Sequence, residues 1–120
     1  MTLTDEQVRY LLQQRLGRLA TVHPNGQPQV NPVSCYHNPT TGTIDIGGHA
    51  MATSRKYRNV VATGRAAVVI DDTDGPHGIR CLEVRGRAEA IENPSDSAAR
   101  TSGAIIRIWP DRVIAWGHTP

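Results

Sequence analysis

Arg18-Leu19-Ala20-Thr21-Val22-His23-Pro24-Asn25-Gly26-Gln27-Pro28-Gln29-Val30 reads as a β-strand, a tight turn and the start of a returning strand. Arg18 to His23 is short and rich in β-formers. Asn25 and Gly26 tolerate the positive φ that a hairpin turn needs. Gln27 to Tyr36 then returns antiparallel. Downstream, Asn38-Pro39-Thr40-Thr41-Gly42 is a second turn and Thr43 to Gly47 a third strand. The chain is a meander of hairpins, which is antiparallel chemistry.

Two short helices punctuate it. Thr4-Asp5-Glu6-Gln7 fits a capping box, with Leu3 and Val8 placed as a hydrophobic staple. Val8, Leu11, Leu12 and Leu16 keep the helical period, and Gly17 stops it. The second helix is capped by Thr53 or Ser54, turns Tyr57, Val60 and Val61 inward, and ends at Gly64. Ala66 to Ile70 is a continuous apolar run, the pattern of a strand buried on both sides. Asp71 to Gly78 reads as a loop. Ile79 to Ile91 is the longest strand; Leu82, Val84, Ala88 and Ala90 face one way, Glu83, Arg85, Arg87 and Glu89 the other. Gly86 marks a bulge or bend within it. Asn93 to Gly103 is polar and small, a loop. Ala104 to Trp109 and Arg112 to Trp116 supply the last strands, with Pro110 between them. About six strands and two short helices predict a small, mainly β barrel, since closure removes the edges.

Within 120 residues this is one domain, 1–120, with no repeat and no linker. Phe is absent, so Val, Ile, Leu and Ala must fill a lean core, which leaves room for stabilisation by a ligand or partner. The net charge of +2 is too small to indicate nucleic acid, and the few aromatics cannot build stacking platforms. Cys35 and Cys81 make no disulfide framework. The polar start Met1-Thr-Leu-Thr-Asp-Glu lacks a signal-peptide core, and no run has the length of a membrane span. These features predict a soluble cytoplasmic chain with reduced thiols. The five histidines show no metal-ligand spacing, so no metal site is expected and turn or surface roles are assigned to them.

The chemistry-bearing segment is Thr53-Ser54-Arg55-Lys56-Tyr57-Arg58. No acid occurs between Asp45 and Asp71, and Arg55, Lys56, Arg58 and Arg65 all fall in that gap. Cations in the first turn of a helix oppose its dipole, at about 0.3–1 kcal/mol each. A bound anion reverses the sign, so this segment is either a phosphate-type site or a basic helix start screened by solvent. Gln29-Val30-Asn31-Pro32-Val33-Ser34 is the second candidate. Pro28 and Pro32 cannot donate to a ladder, which makes part of this strand an edge or a bulge. It is either an ordinary kinked edge or a rest for a planar ring, with Asn31 and Ser34 to hydrogen-bond it. There is no nucleophile elbow, P-loop or dinucleotide fingerprint, and no catalytic residue can be named.

Taken in order, Leu19 to Val30, Gly42 to Gly48, Ser54 to Val60 and Gly64 to Asp72 resemble the pyridoxamine 5′-phosphate oxidase-like family. Glu83 to Glu89 and Ile106 to Gly117 resemble its actinobacterial branch, described as probable enzymes dependent on the deazaflavin coenzyme F420. The resemblance implies a split β-barrel and a homodimer with two cofactor sites at the subunit interface. It implies that Ser54, Arg55 and Lys56 bind the cofactor phosphate, with Arg58 on the same helix. It places Gln29, Asn31, Pro32, Val33 and Ser34 beside the ring and brings Trp116 towards the site. Two departures matter: Val30 to Tyr36 lacks the phosphate-binding Arg and Lys of the oxidases, and their C-terminal substrate region is missing. The implied activity is therefore hydride transfer between F420 and a small organic substrate. The alternatives are an FMN-binding oxidoreductase of the same fold, or a non-catalytic cofactor-binding module.

Overall fold

A computed structural model describes residues 2–101 and 103–120; Met1, part of the N-terminal reading, and Ser102, within the expected loop, lie outside the described residues. The elements run α1 (Asp5–Gln13), β1 (Leu16–Val22), β2 (Pro28–Asn38), β3 (Thr43–Gly47), a 3-10 turn (Met51–Thr53), α2 (Arg55–Thr63), β4 (Arg65–Gly75), β5 (Gly78–Ile91), β6 (Ile105–Ile108) and β7 (Arg112–Trp116). All strand pairs are antiparallel. The order β4-β1-β2-β3-β6-β5 closes through a β4–β5 pairing, and β7 attaches outside that ring on β5. The expected mainly β split barrel with two helices is present.

The split follows from β5. Its first half, Cys81 to Arg85, pairs with both β4 and β7, whereas Ala88 to Ile91 pairs with β6. Gly86 sits at the changeover. The ladder to β4 runs through it in unbroken register, so Gly86 is not a bulge; a Cβ there would collide with the Trp109 carbonyl. The glycine lets the β6–β7 connection cross directly over β5. The register shift in this hairpin lies instead between Asp72 and Gly75. Residues 71–75 extend β4, so the expected loop shrinks to the turn at Gly75–Gly78.

Three further expectations are corrected. The capping box on Thr4 forms, but α1 ends at Gln13 rather than at Gly17. Leu16 and Gly17 already belong to β1, where a Cβ on Gly17 would lie 2.7 Å from the Cys35 sulfur. Leu12, within α1, is exposed rather than part of the buried stripe. In α2, Val61 also points to solvent, and Asn59 takes the buried position beside Val60. Lastly, Ala66, Val68 and Ile70 enter the core, while the opposite face of the same run, Ala67 and Val69, is only half-covered. The apolar run is two-faced, but within this chain one face is left unpartnered.

The barrel core is aliphatic: Leu19, Ile44, Ile46, Ile70, Leu82, Ile106 and Ile108 are fully buried. One ion pair is buried on the opposite face of β3 and β6, under the segment that carries Asp96 and Ala98. The Asp45 carboxylate, 0% exposed, accepts from Arg107 Nε (2.9 Å) and Nη2 (3.2 Å), Asn38 Nδ2 (2.9 Å), Thr43 Oγ1 (3.0 Å) and the Ala98 N–H (3.0 Å). Burial alone would push this carboxyl up; the Arg107 hydrogen bonds, helped by Ala98, Asn38 and Thr43, hold it below its ordinary value. Arg107 also donates to Asp96 Oδ1 at 2.9 Å.

Removing one partner of a buried pair costs about 3–5 kcal/mol. Asp45→Asn should therefore lower unfolding free energy on that scale in urea titrations at pH 7. Because the folded carboxyl is depressed, its contribution is complete above the unfolded value of about 4 and is lost as pH falls through the folded value. The gap between wild type and variant should close on acidification from pH 5 to pH 2.

Candidate functional site

The short 3-10 turn brings β3 into α2. Ala50, at φ 54°, adopts the left-handed conformation and turns the chain. Ser54 caps α2: its hydroxyl oxygen accepts the Tyr57 N–H at 3.3 Å, and its hydrogen is donated to the Met51 carbonyl at 2.6 Å. Ser54 thus fixes the helix start rather than offering a free hydroxyl donor. No acid occupies the first turn, and the helix dipole presents partial positive charge there.

Lys56 leans from this turn into a cleft of about 310 Å³. Pro32, Val33 and Ser34 of β2 form one wall, Gly47, Gly48 and His49 another, and Leu16 closes it. None of these lining residues is acidic. The Lys56 cation, from the first turn of α2, and Ser34 therefore face the same acid-free space. The arrangement fits a phosphate at the Lys56 end and a flat apolar-edged group along Pro32 and Leu16.

The structure divides the other residues expected beside the ring. Alternation along β2 turns Gln29 and Asn31 to the face under α2, and Pro32 and Ser34 to the outer face. Gln29 Nε2 donates to Asn31 Oδ1 at 2.7 Å, and Asn59 Nδ2 donates to Thr21 Oγ1 (3.0 Å) and Gln29 Oε1 (3.2 Å). Gln29 and Asn31 thus belong to a polar string that fastens α2 to the β1–β2 hairpin. Asn59 Oδ1 is buried with no partner among the described residues. Arg55 and Arg58 are exposed on α2 and do not line the Lys56 cleft. Trp116 lies apart from it as well.

Trp116 belongs to the outer sheet face, which runs across five strands. In register, Pro32 lies opposite Arg18, Arg18 opposite Val69, Val69 opposite Glu83, and Glu83 opposite Ile114. Beside that row, Val30, Ala20 and Ala67 form a second, and Cys81 and Trp116 belong to a third. The face holds a shallow hollow of about 530 Å³, with Val30 67% and Trp116 55% exposed. The Lys56 cleft opens at one margin of this face through Pro32.

Sequence reasoning missed Leu16 and His49, while Gly47-Gly48, a pair that lets a chain leave a strand and approach a ligand closely, lines the cleft. His49 carries no metal-like spacing, but it stands five residues before the helix cap, which places it near that cap whatever its own chemistry. Among the described residues no group of His, Cys, Asp and Glu is arranged to hold a metal. Cys35 is inert: burial pushes its thiol up to about 12.

A family model described as pyridoxamine 5′-phosphate oxidase matches residues 3–116. A 5a,11a-dehydrotetracycline/5a,11a-dehydrooxytetracycline reductase of Streptomyces rimosus is 38% identical over 120 residues, which covers 98% of this chain and 84% of that one. A solved F420 reductase is 26% identical with a TM-score of 0.71, over 93% of this chain and 98% of its own. A conserved hypothetical protein of Mycobacterium tuberculosis shares the fold at 21% identity and a TM-score of 0.77, over 98% of this chain and 87% of its own.

If Lys56 faces an anion, its removal costs binding and not folding. Lys56→Ala should leave the melting temperature of the ligand-free protein unchanged or slightly raised, because the helix dipole opposes that cation. In calorimetric titration with inorganic pyrophosphate the same change should weaken binding about ten- to a hundredfold. Added salt should erode the wild-type affinity more steeply than the variant's.

Proposed function

The chain belongs to the pyridoxamine 5′-phosphate oxidase family, and on that premise we propose that it is an oxidoreductase transferring a hydride between the deazaflavin coenzyme F420 and a small organic substrate. The observation that carries the reading is the acid-free cleft where Lys56, in the first turn of α2, faces Pro32 and Ser34. The relatives named as reductases support the same class of chemistry.

When bound, the deazaflavin supplies the hydride chemistry itself, so the protein's task is to bind, orient and exclude water. Lys56 and the first N–H groups of α2 would hold the anionic chain of the coenzyme. Ser54, by capping the helix, keeps those groups aimed. Ser34 would hydrogen-bond the ring edge, and Pro32, Leu16 and Val33 would keep water from its face. Arg55 and Arg58 would add long-range attraction for an anion rather than direct contacts. No proton-transferring dyad is required of these residues.

The active unit in this reading is a homodimer. The unpartnered outer face carries exposed or half-covered apolar groups, Val30, Val69, Ile79 and Trp116, interleaved with Arg18, Asp71 and Glu83. Both signs of charge on one face suit a self-complementary two-fold contact. A second copy seated there would cover the open side of the Lys56 cleft and bring its own Trp116 into the neighbourhood.

Two measurements test this reading. In parallel equilibrium titrations the protein should bind F420 more tightly than FMN, because β2 supplies no further phosphate cation; equal or tighter FMN binding contradicts it. Sedimentation equilibrium at micromolar concentration should give twice the chain mass, and Val30→Glu should give a folded monomer with weakened F420 binding. A wild-type monomer with full affinity contradicts the dimeric site.

A further inference from the structure

We propose that the hollow between Arg15, His37 and Arg100 is a second anion subsite, built for a carboxylate and neighbouring the Lys56 cleft along β2. The proposal rests on the cofactor reading for the identity of the ligand, but not for the existence of the subsite.

The hollow encloses about 130 Å³, lined by Arg15, Tyr36, His37 and Arg100 together with Leu11 and Ala98. That is the volume of about four waters, enough for a carboxylate and its stem. No acid lines it. Among the described residues neither Arg15 nor Arg100 forms an ion pair. The acids behind the wall, Asp45 and Asp96, are both taken by Arg107. The Arg15 guanidinium rests over the Tyr36 ring, 5.5 Å from its centroid. Stacking of this kind orders the group while leaving its in-plane N–H donors free for a carboxylate. His37 adds a further ring nitrogen; burial lowers its pKa although Asp45 pulls it upward. The C-terminal end of α1 accounts for a cation at Arg15, since helix ends of that sign attract one. It does not account for a second cation, Arg100, delivered from another part of the chain.

The two hollows share no lining residue but are lined by successive stretches of the chain. Ser34 lines the Lys56 cleft, and Cys35, Tyr36 and His37 line the hollow. Leu16 and Arg15 divide between the two in the same way. Ser34 and Tyr36 are two strand residues apart, about 7 Å, the spacing of successive charged groups on an elongated anion. The third wall is rigid at both ends. The Ala98 N–H is donated to buried Asp45 at 3.0 Å, and a side chain on Gly47 would strike Ala99 and Thr101. Arg100 is thus held on the rim by a segment anchored on buried Asp45 at the outer face of β3.

The carboxylate could belong to a glutamate on the coenzyme tail or to an acidic substrate, and two sets of titrations separate the sources. First, citrate is titrated at constant ionic strength into Lys56→Ala and into Lys56→Ala/Arg100→Ala, with thermal unfolding of the ligand-free forms as the folding control. Citrate should bind the single variant, and loss of Arg100 should weaken it about tenfold. Equal citrate binding by the two variants, with both folded, overturns the subsite. Second, wild type and Arg100→Ala are titrated with F420 bearing glutamates and with the same coenzyme lacking them. Loss of a preference for the glutamylated form in Arg100→Ala assigns the subsite to the coenzyme tail. An unchanged preference, beside Arg100-dependent citrate binding, assigns it to an acidic substrate. If neither coenzyme form binds while citrate still depends on Arg100, the cofactor reading fails and the anion subsite stands.

Discussion

The carboxylate of Asp45 is the fixed point of this molecule. Five hydrogen bonds converge on it from the end of β2, from β3, from β6 and from the segment before β6. A charge taken fully out of water survives only when its partners are complete, so these pieces of chain cannot shift independently. The consequence reaches the surface. Asp45 lies two residues before Gly47, which opens the wall of the Lys56 cleft, and it holds Ala98, two residues before Arg100. A buried ion pair of this kind adds little net stability relative to an apolar pair, and its use here is positional. Two basic hollows keep their shape because one buried acid, on the outer face of β3, is fully satisfied.

Strand alternation then decides what the surface can do. On β2, odd-numbered residues from Gln29 to Val33 serve the helix and the core, and even-numbered ones from Val30 to Ser34 serve the outer face. A single strand therefore joins three environments: the polar string to Asn59, the cleft at Lys56 and the apolar sheet face ending at Trp116. The β5 changeover at Gly86 produces the width of that face, because it keeps β7 in line with β4, β1 and β2 instead of within the ring. A cleft at the margin of an uncovered apolar face is a natural position for a ligand shared between two copies of a chain.

Much of this was legible in the sequence. The hairpin at Asn25-Gly26, the capping box at Thr4, the cap at Ser54 and the stop at Gly64 are local chemistry, and each stands where the residues put it. The misplaced features depend on distant contacts. Gly86 is a glycine because Trp109 crosses it, which no local pattern reveals. Asn59 replaces Val61 inside because Thr21 and Gln29 are there to bond it. The run Ala66 to Ile70 shows two apolar faces but cannot say that one of them faces away from its own chain. For the site, the charge pattern around Lys56 located the helix start, while the division of Gln29 and Asn31 from Pro32 and Ser34 follows only from the strand's orientation. Arg15 and Arg100, 85 positions apart in the sequence, meet only because β2 and the segment anchored on Asp45 bring them together.

In the proposed function an anionic deazaflavin is held by its phosphate at Lys56. A crystal structure of the complex with F420 tests it most directly. The account predicts the coenzyme's phosphodiester within about 2.7–2.9 Å of Lys56 Nζ, with the ring along Pro32 and Ser34. A phosphodiester held elsewhere, with Lys56 facing solvent, would contradict it.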